Sequence, residues 1–256
     1  MVVLSCFCLA GCVHPTIAQP SRVIAQTYDV ARFHNITIDG PVNIVFSKGH
    51  SCYLKSTGRQ DILCQYQITQ NSNEIFIKAP KGRTNNYTET FEIGAPSLYK
   101  LTIKDGPNVL VHKLKVAKLN VITTDKGDEL NTYLHGQFFA SYTNILQYGR
   151  GKISIAWLSS GTVDVLSFDC GTIWLAGQAK KTNVILHSGA YFDGKYFRTD
   201  TMVIEATDKS QADIFPQNFL KACTWGQSAV YYYQWPKYLY ITSKDSSNVL
   251  LLKDDE

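Results

Sequence analysis

The sequence predicts an all-β chain folded as a parallel β-helix, a solenoid with an N-terminal strand region. Apolar anchors recur every 18 to 20 residues, at Ile145, Val165, Ile185, Ile204, Ala222 and Ile241. Four residues after each stands one that takes or tolerates positive φ: Gly149, Asp169, Gly189, Asp208, Gly226 and Asp245. Between anchors, apolar and polar residues alternate with period two and are rich in Val, Ile, Thr and Tyr. A unit of this length buries its apolar side only by stacking on its neighbours. It is too short for a strand plus a crossover helix, and a propeller blade needs about twice the length.

The elements follow in order. Residues 1–11 are an apolar run ending in small residues, as an export signal does. Leu9-Ala10-Gly11-Cys12 resembles a bacterial lipobox, which makes Cys12 the expected lipid-attachment residue; no Lys or Arg precedes it. That resemblance implies a membrane partner through the lipid anchor. It also implies attachment to the bacterial outer membrane, since Val13 rather than Asp follows Cys12. Residues 12–27 carry Pro15 and Pro20 among Ser, Thr and Gln and read as a tether. Residues 28–256 read as one domain, divided into a strand region (28–95) and repeat coils (96–256).

In the strand region, Gly40-Pro41, Lys48-Gly49-His50 and Asn71-Ser72-Asn73 punctuate alternating runs, and a short helical turn fits Gln60 to Leu63. In the coils, Asp105-Gly106-Pro107 and Asp125-Lys126-Gly127 mark turns, and residues 131–143 read as an insertion that breaks the period.

Phe33-x-x-Ile36-x-Ile38-x-Gly40-Pro41-Val42-Asn43-Ile44-Val45-Phe46 and Pro96-x-Leu98-x-x-Leu101-x-Ile103-x-Asp105-Gly106 resemble the motifs of the auto-transporter adhesin head (GIN) domain family. The resemblance implies an exported, often lipid-anchored domain folded as a right-handed parallel β-helix. It implies no activity, cofactor or ligand.

The candidate sites are few. The net charge is +4 and the basic residues are dispersed, which argues against a nucleic-acid track. The densest run, Lys113-Leu114-Lys115-Val116-Ala117-Lys118, alternates like a strand with a solvated face. Cys52 and Cys64 sit on neighbouring expected strands and form a candidate disulfide; Cys170 and Cys223 read as small core residues. No Cys/His spacing fits a metal. The Asp corner series (Asp125, Asp169, Asp208, Asp245) could bind Ca²⁺ or act as paired acid and base on a polysaccharide, but it alternates with Gly149, Gly189 and Gly226. Glycine shares only the backbone requirement, so the series reads as corners. The aromatic tract Trp225, Tyr231, Tyr232, Tyr233, Trp235, Tyr238 and Tyr240 reads as a cap on the last coil and is also the best candidate surface for a glycan or protein ligand.

The resulting expectation is a non-enzymatic exported lipoprotein acting as a surface or periplasmic binding and adhesion scaffold. One alternative is a polysaccharide lyase or glycoside hydrolase, with Arg150, Asp169 and Asp193 as its loose candidates. Another is a structural envelope unit that assembles end to end.

Overall fold

A computed structural model describes residues 2–3, 22–80, 89–124 and 130–252. Cys12, Asp125 and most of the expected signal and tether lie outside the described residues. The short strands, in chain order, are β1 (Val2–Val3), β2 (Val23–Tyr28), β3 (Asn35–Asp39), β4 (Asn43–Lys48) and β5 (Tyr53–Arg59). After helix α1 (Gln60–Leu63) come β6 (Gln67–Asn71), β7 (Glu74–Lys78), β8 (Thr90–Ala95) and β9 (Lys100–Lys104). Six long strands follow: β10 (Asn108–Thr123), β11 (Thr132–Gln147), β12 (Lys152–Ser167), β13 (Thr172–Leu186), β14 (Tyr191–Ala206) and β15 (Gln211–Thr224). The chain closes with β16 (Ala229–Tyr232), β17 (Tyr238–Ser243) and β18 (Asn248–Leu251). The result is a parallel β-solenoid of about seven turns.

Each long strand bends around most of one coil. Strand β10 pairs in parallel with β4 through Asn108–Val111 and with β9 through Lys118–Ile122. Register shifts between these stretches recur in every long-strand pair, for example at Leu110/Lys113 and Ile155/Leu158. They are the bends that separate a first face, a short third face and a second face. On the second face one inward row runs Ile77, Ile38, Ile103, Val121, Ile145, Val165, Val184, Ile204, Ala222, Ile241. Every member is at most 2% exposed except the last, Ile241, at 42%. Period-two alternation puts this row inside, and stacking identical faces makes it continuous.

The corners between second and first faces need positive φ, and Gly149 (88°), Asp169 (66°), Ser188 (56°), Asp208 (54°), Gly226 (67°) and Asp245 (60°) supply it. Two expectations slip by one position here. The row passes through Val184, not the half-exposed Ile185, and the equivalent corner is Ser188, with Gly189 next to it. The cause is length: β13 has 15 residues where β12 and β14 have 16.

The expected insertion at residues 131–143 is an ordinary coil, because Thr132–Gln147 pairs in register with β10 and β12. The extra residues instead precede β11: eight (124–131) separate β10 from β11, against four (148–151) between β11 and β12. Residues 23–27, expected in the tether, belong to β2, which pairs antiparallel with β5.

The strand region is continuous with the coils. Strands β3 and β4 stack in parallel on β9 and β10. Antiparallel strands then close this end: β5 on β8 and β2 on β5 over the first face, β6 on β7 over the second. Phe91 is buried there between the rings of Tyr66 (5.1 Å) and Tyr28 (6.4 Å).

Chain order is interleaved at this junction. On the first face β4 lies between β8 and β10; on the second, β9 lies between β3 and β10. Strand β3 leads into β4, so their layer is occupied, and β4 turns away into β5 without crossing the third face. The link from β8 to β9, residues 96–99, therefore climbs an extra layer as it crosses.

Candidate functional site

The aromatic tract is distributed around the last coil rather than gathered in one patch. Tyr232 points inward and is 4% exposed, so it fills the core and presents nothing to a ligand. Tyr231 and Tyr233 are half-buried on the first face, and Trp225 is half-buried at a corner. Trp235, Tyr238 and Tyr240 are exposed, at 61%, 51% and 58%. Tyr238 and Tyr240 project outward from the second face, where Tyr240 meets the Phe219 ring at 5.5 Å. The tract does not lie over the last inward row of the second face: Ile241, in that row, is exposed.

A second cluster abuts the tract. On the first face Asp193 stands beside Asp213, and Asp213 beside Tyr231. Tyr191 donates its hydroxyl to Asp213 Oδ2, and Tyr233 donates to Asp213 Oδ1 at 3.2 Å. Lys195 Nζ sits 4.3 Å from the Tyr233 ring centre. Burial, then the Asp213 hydrogen bond, pushes the Tyr191 phenol up. Burial likewise raises Asp193 above the usual carboxylate range. Asp213 is only 7% exposed and both its oxygens are engaged by phenols, an arrangement that pins strands together rather than presenting an acid–base pair. Asp213 and Tyr191 escaped sequence reading because their meeting depends on the coil register.

The loose enzymatic candidates do not converge. Asp169 Oδ2 accepts the Gly149 N–H at 3.1 Å across a corner, Arg150 is exposed at that corner, and Asp193 lies out on the first face. Asp245 Oδ2 likewise accepts the Gly226 N–H at 3.4 Å. No group of three or more His, Cys, Asp or Glu that could hold a metal occurs among the described residues.

The cysteine pairing is not made. Cys52 Sγ donates to Phe33 O at 3.7 Å, while Cys64, which closes α1, donates to Asp61 O at 3.3 Å. Cys170 and Cys223 are not core residues: Cys170 is exposed beside a corner, and Cys223 is half-exposed on an outward position. No helix among the described residues is long and apolar enough to cross a membrane.

Fold and surface together define a β-solenoid closed at one end and rimmed with aromatics at the other. The chain belongs to the family described as "Putative auto-transporter adhesin, head GIN domain", whose profile matches residues 32–236. It is similar to the crystal structure of a putative adhesin from Parabacteroides merdae ATCC 43184, with 15% identity and a TM-score of 0.73, covering 91% of this chain and 97% of that one. A putative adhesin from Parabacteroides distasonis ATCC 8503 aligns at 12% identity and TM-score 0.68, over 91% and 95% of the two chains. A structure from the same organism described as a putative lipid binding protein aligns at 15% identity and TM-score 0.68, over 90% and 97%. At these identities the likeness is one of fold. No curated protein matches the sequence.

Proposed function

We propose that this protein is an exported, non-enzymatic binding scaffold of the adhesion type, anchored to the outer membrane through Cys12. Its aromatic C-terminal rim engages a glycan or protein ligand. One observation carries the reading. Of ten large hydrophobic side chains exposed among the described residues, five (Trp235, Tyr238, Tyr240, Ile241 and Leu250) ring the last coil. Exposed aromatics concentrated at one end are what a binding surface needs and what a monomer's outer face otherwise avoids. Adhesin-described neighbours of the same fold support the class.

The test is a glycan and envelope-component binding screen on the folded domain, repeated with Trp235→Ala/Tyr238→Ala/Tyr240→Ala. The expected result is saturable binding without turnover, lost at least tenfold in the variant with its melting temperature within a few degrees of the parent. Turnover of a polymer would support the hydrolase or lyase alternative. A variant that changed only the oligomeric state would support end-to-end assembly. The anchor is tested separately: fatty-acid labelling of the expressed full chain is expected to vanish in Cys12→Ser, and persistence of the label would remove Cys12 from the reading.

A further inference from the structure

The climbing link leaves a rung missing from the third face. Strand β10 has an upstream partner through Val111 (β4) and again from Lys118 (β9), and none between. Downstream, Lys113–Val116 is paired normally with Gln137–Ala140 of β11. The link is hydrogen-bonded to this edge at its far end, where Tyr99 O accepts the N–H groups of Ala117 and Lys118, both at 2.9 Å. Toward His112 the link falls away to the β8 layer. That end is a wedge about two rungs, or roughly 10 Å, wide, which is the room one additional strand takes.

The wedge is a cavity of about 910 Å³ lined by Phe46, Ser47, residues 95–98, residues 112–117 and Ser141. Its inner wall is core that lacks a neighbour. Leu114 occupies the same inward position as Phe138, Leu158 and, one coil beyond Gly177, Phe197. Those three are fully buried, whereas Leu114 is only half-buried. Its outer wall is basic. Lys113, Lys115 and His112 are exposed, and no Asp or Glu lines the cavity. Lys113 Nζ rests over the Phe139 ring of β11 at 5.0 Å.

We propose that this slot receives an extended segment of a partner protein, added as a short β-strand along the His112–Val116 edge. Period two fixes the chemistry of that segment. Its inward residues meet Leu114 and Val116 and are apolar; its outward residues stand across from Lys113 and Lys115 and are acidic. The unpaired main-chain edge supplies the hydrogen bonds and the alternation supplies the selectivity, the usual division in strand addition. The Lys113–Lys118 run, read from sequence as a merely solvated strand face, becomes the outer half of a recognition element.

The experiment uses the domain from residue 22 onward after its melting curve and circular dichroism match those of the full chain. The ligand is a fluorescein-labelled hexapeptide, Asp-Val-Glu-Ile-Asp-Val, with a second peptide bearing Lys at the acidic positions. Saturable binding of the acidic peptide is expected, weakened by salt and at least about tenfold tighter than the Lys peptide. K113E/K115E is expected to invert that preference; both positions are exposed, so the variant tests recognition rather than folding. Amide exchange at 112–116 is expected to slow on binding. Equal affinity for the two peptides, unchanged exchange at 112–116, or saturable oleate binding that displaces the acidic peptide and ignores K113E/K115E would each overturn the proposal, the last in favour of a simple amphiphile pocket.

Discussion

At its N-terminal end the solenoid stops against antiparallel strands; at its C-terminal end its inward rows are left uncovered. The same row shows both conditions. Ile38 on β3 and Ile77 on β7 are fully buried beside the antiparallel strands, whereas Ile241, nine rungs along from Ile77, is 42% exposed. On β18 the inward residues Val249 and Leu251 are only partly buried against the core. Antiparallel strands and a helical turn can close a parallel stack because they reverse direction and offer no further parallel rung. Among the described residues the last coil has no such reversal, and its aromatics stand around the end instead of across it. A stack of identical rungs therefore carries no instruction for its own termination, and each end needs residues that depart from the repeat.

The largest effect expected from this difference comes from one substitution made twice in one row. Ile103→Ala opens a cavity among fully buried neighbours and is expected to cost about 2–5 kcal/mol. Ile241→Ala removes a side chain that is already largely hydrated and is expected to cost less than about 1 kcal/mol. Urea denaturation followed by circular dichroism compares them. Equal losses would show that the last rung is covered in solution, and a dependence of the Ile241→Ala loss on protein concentration would identify the cover as a second copy.

How much of this was legible follows the same divide. The coils were readable because each inward residue repeats its neighbour's role: Ile145, Val165, Ile204 and Ala222 were assigned correctly, and one short strand shifted Ile185 to Val184. The closed end was not readable. Its strands alternate plainly enough, but β7 pairing with β3, and β4 with both β8 and β10, are non-local choices that no spacing encodes. The wedge beside Leu114 is a product of that interleaving, so Lys113 and Lys115 carried no sequence sign of their surroundings. The aromatic rim was found as composition but not as geometry, since Tyr232 turns inward while Tyr238 and Tyr240 turn out.

The corners are alike at both ends, and they yield a smaller, sharper effect. Gly40 (φ 99°) and Gly106 (95°) turn the chain near the closed end, and Asp208 (54°) and Asp245 (60°) turn it near the open one. If Asp208 is retained for its backbone rather than its charge, glycine and alanine must behave differently there. Its carboxylate takes only a local hydrogen bond, from Thr207 Oγ1 at 2.9 Å, and its side chain is exposed. Asp208→Gly keeps the left-handed conformation at no steric cost and is expected to stay within about 0.5 kcal/mol of the parent. Asp208→Ala forces a β-carbon into that region without a polar side chain to ease it and is expected to cost about 1–2 kcal/mol. Denaturant midpoints separate the two. Equal losses would mean that the carboxylate itself holds the corner, and the Asp–Gly alternation along the solenoid would then need an electrostatic explanation in place of a conformational one.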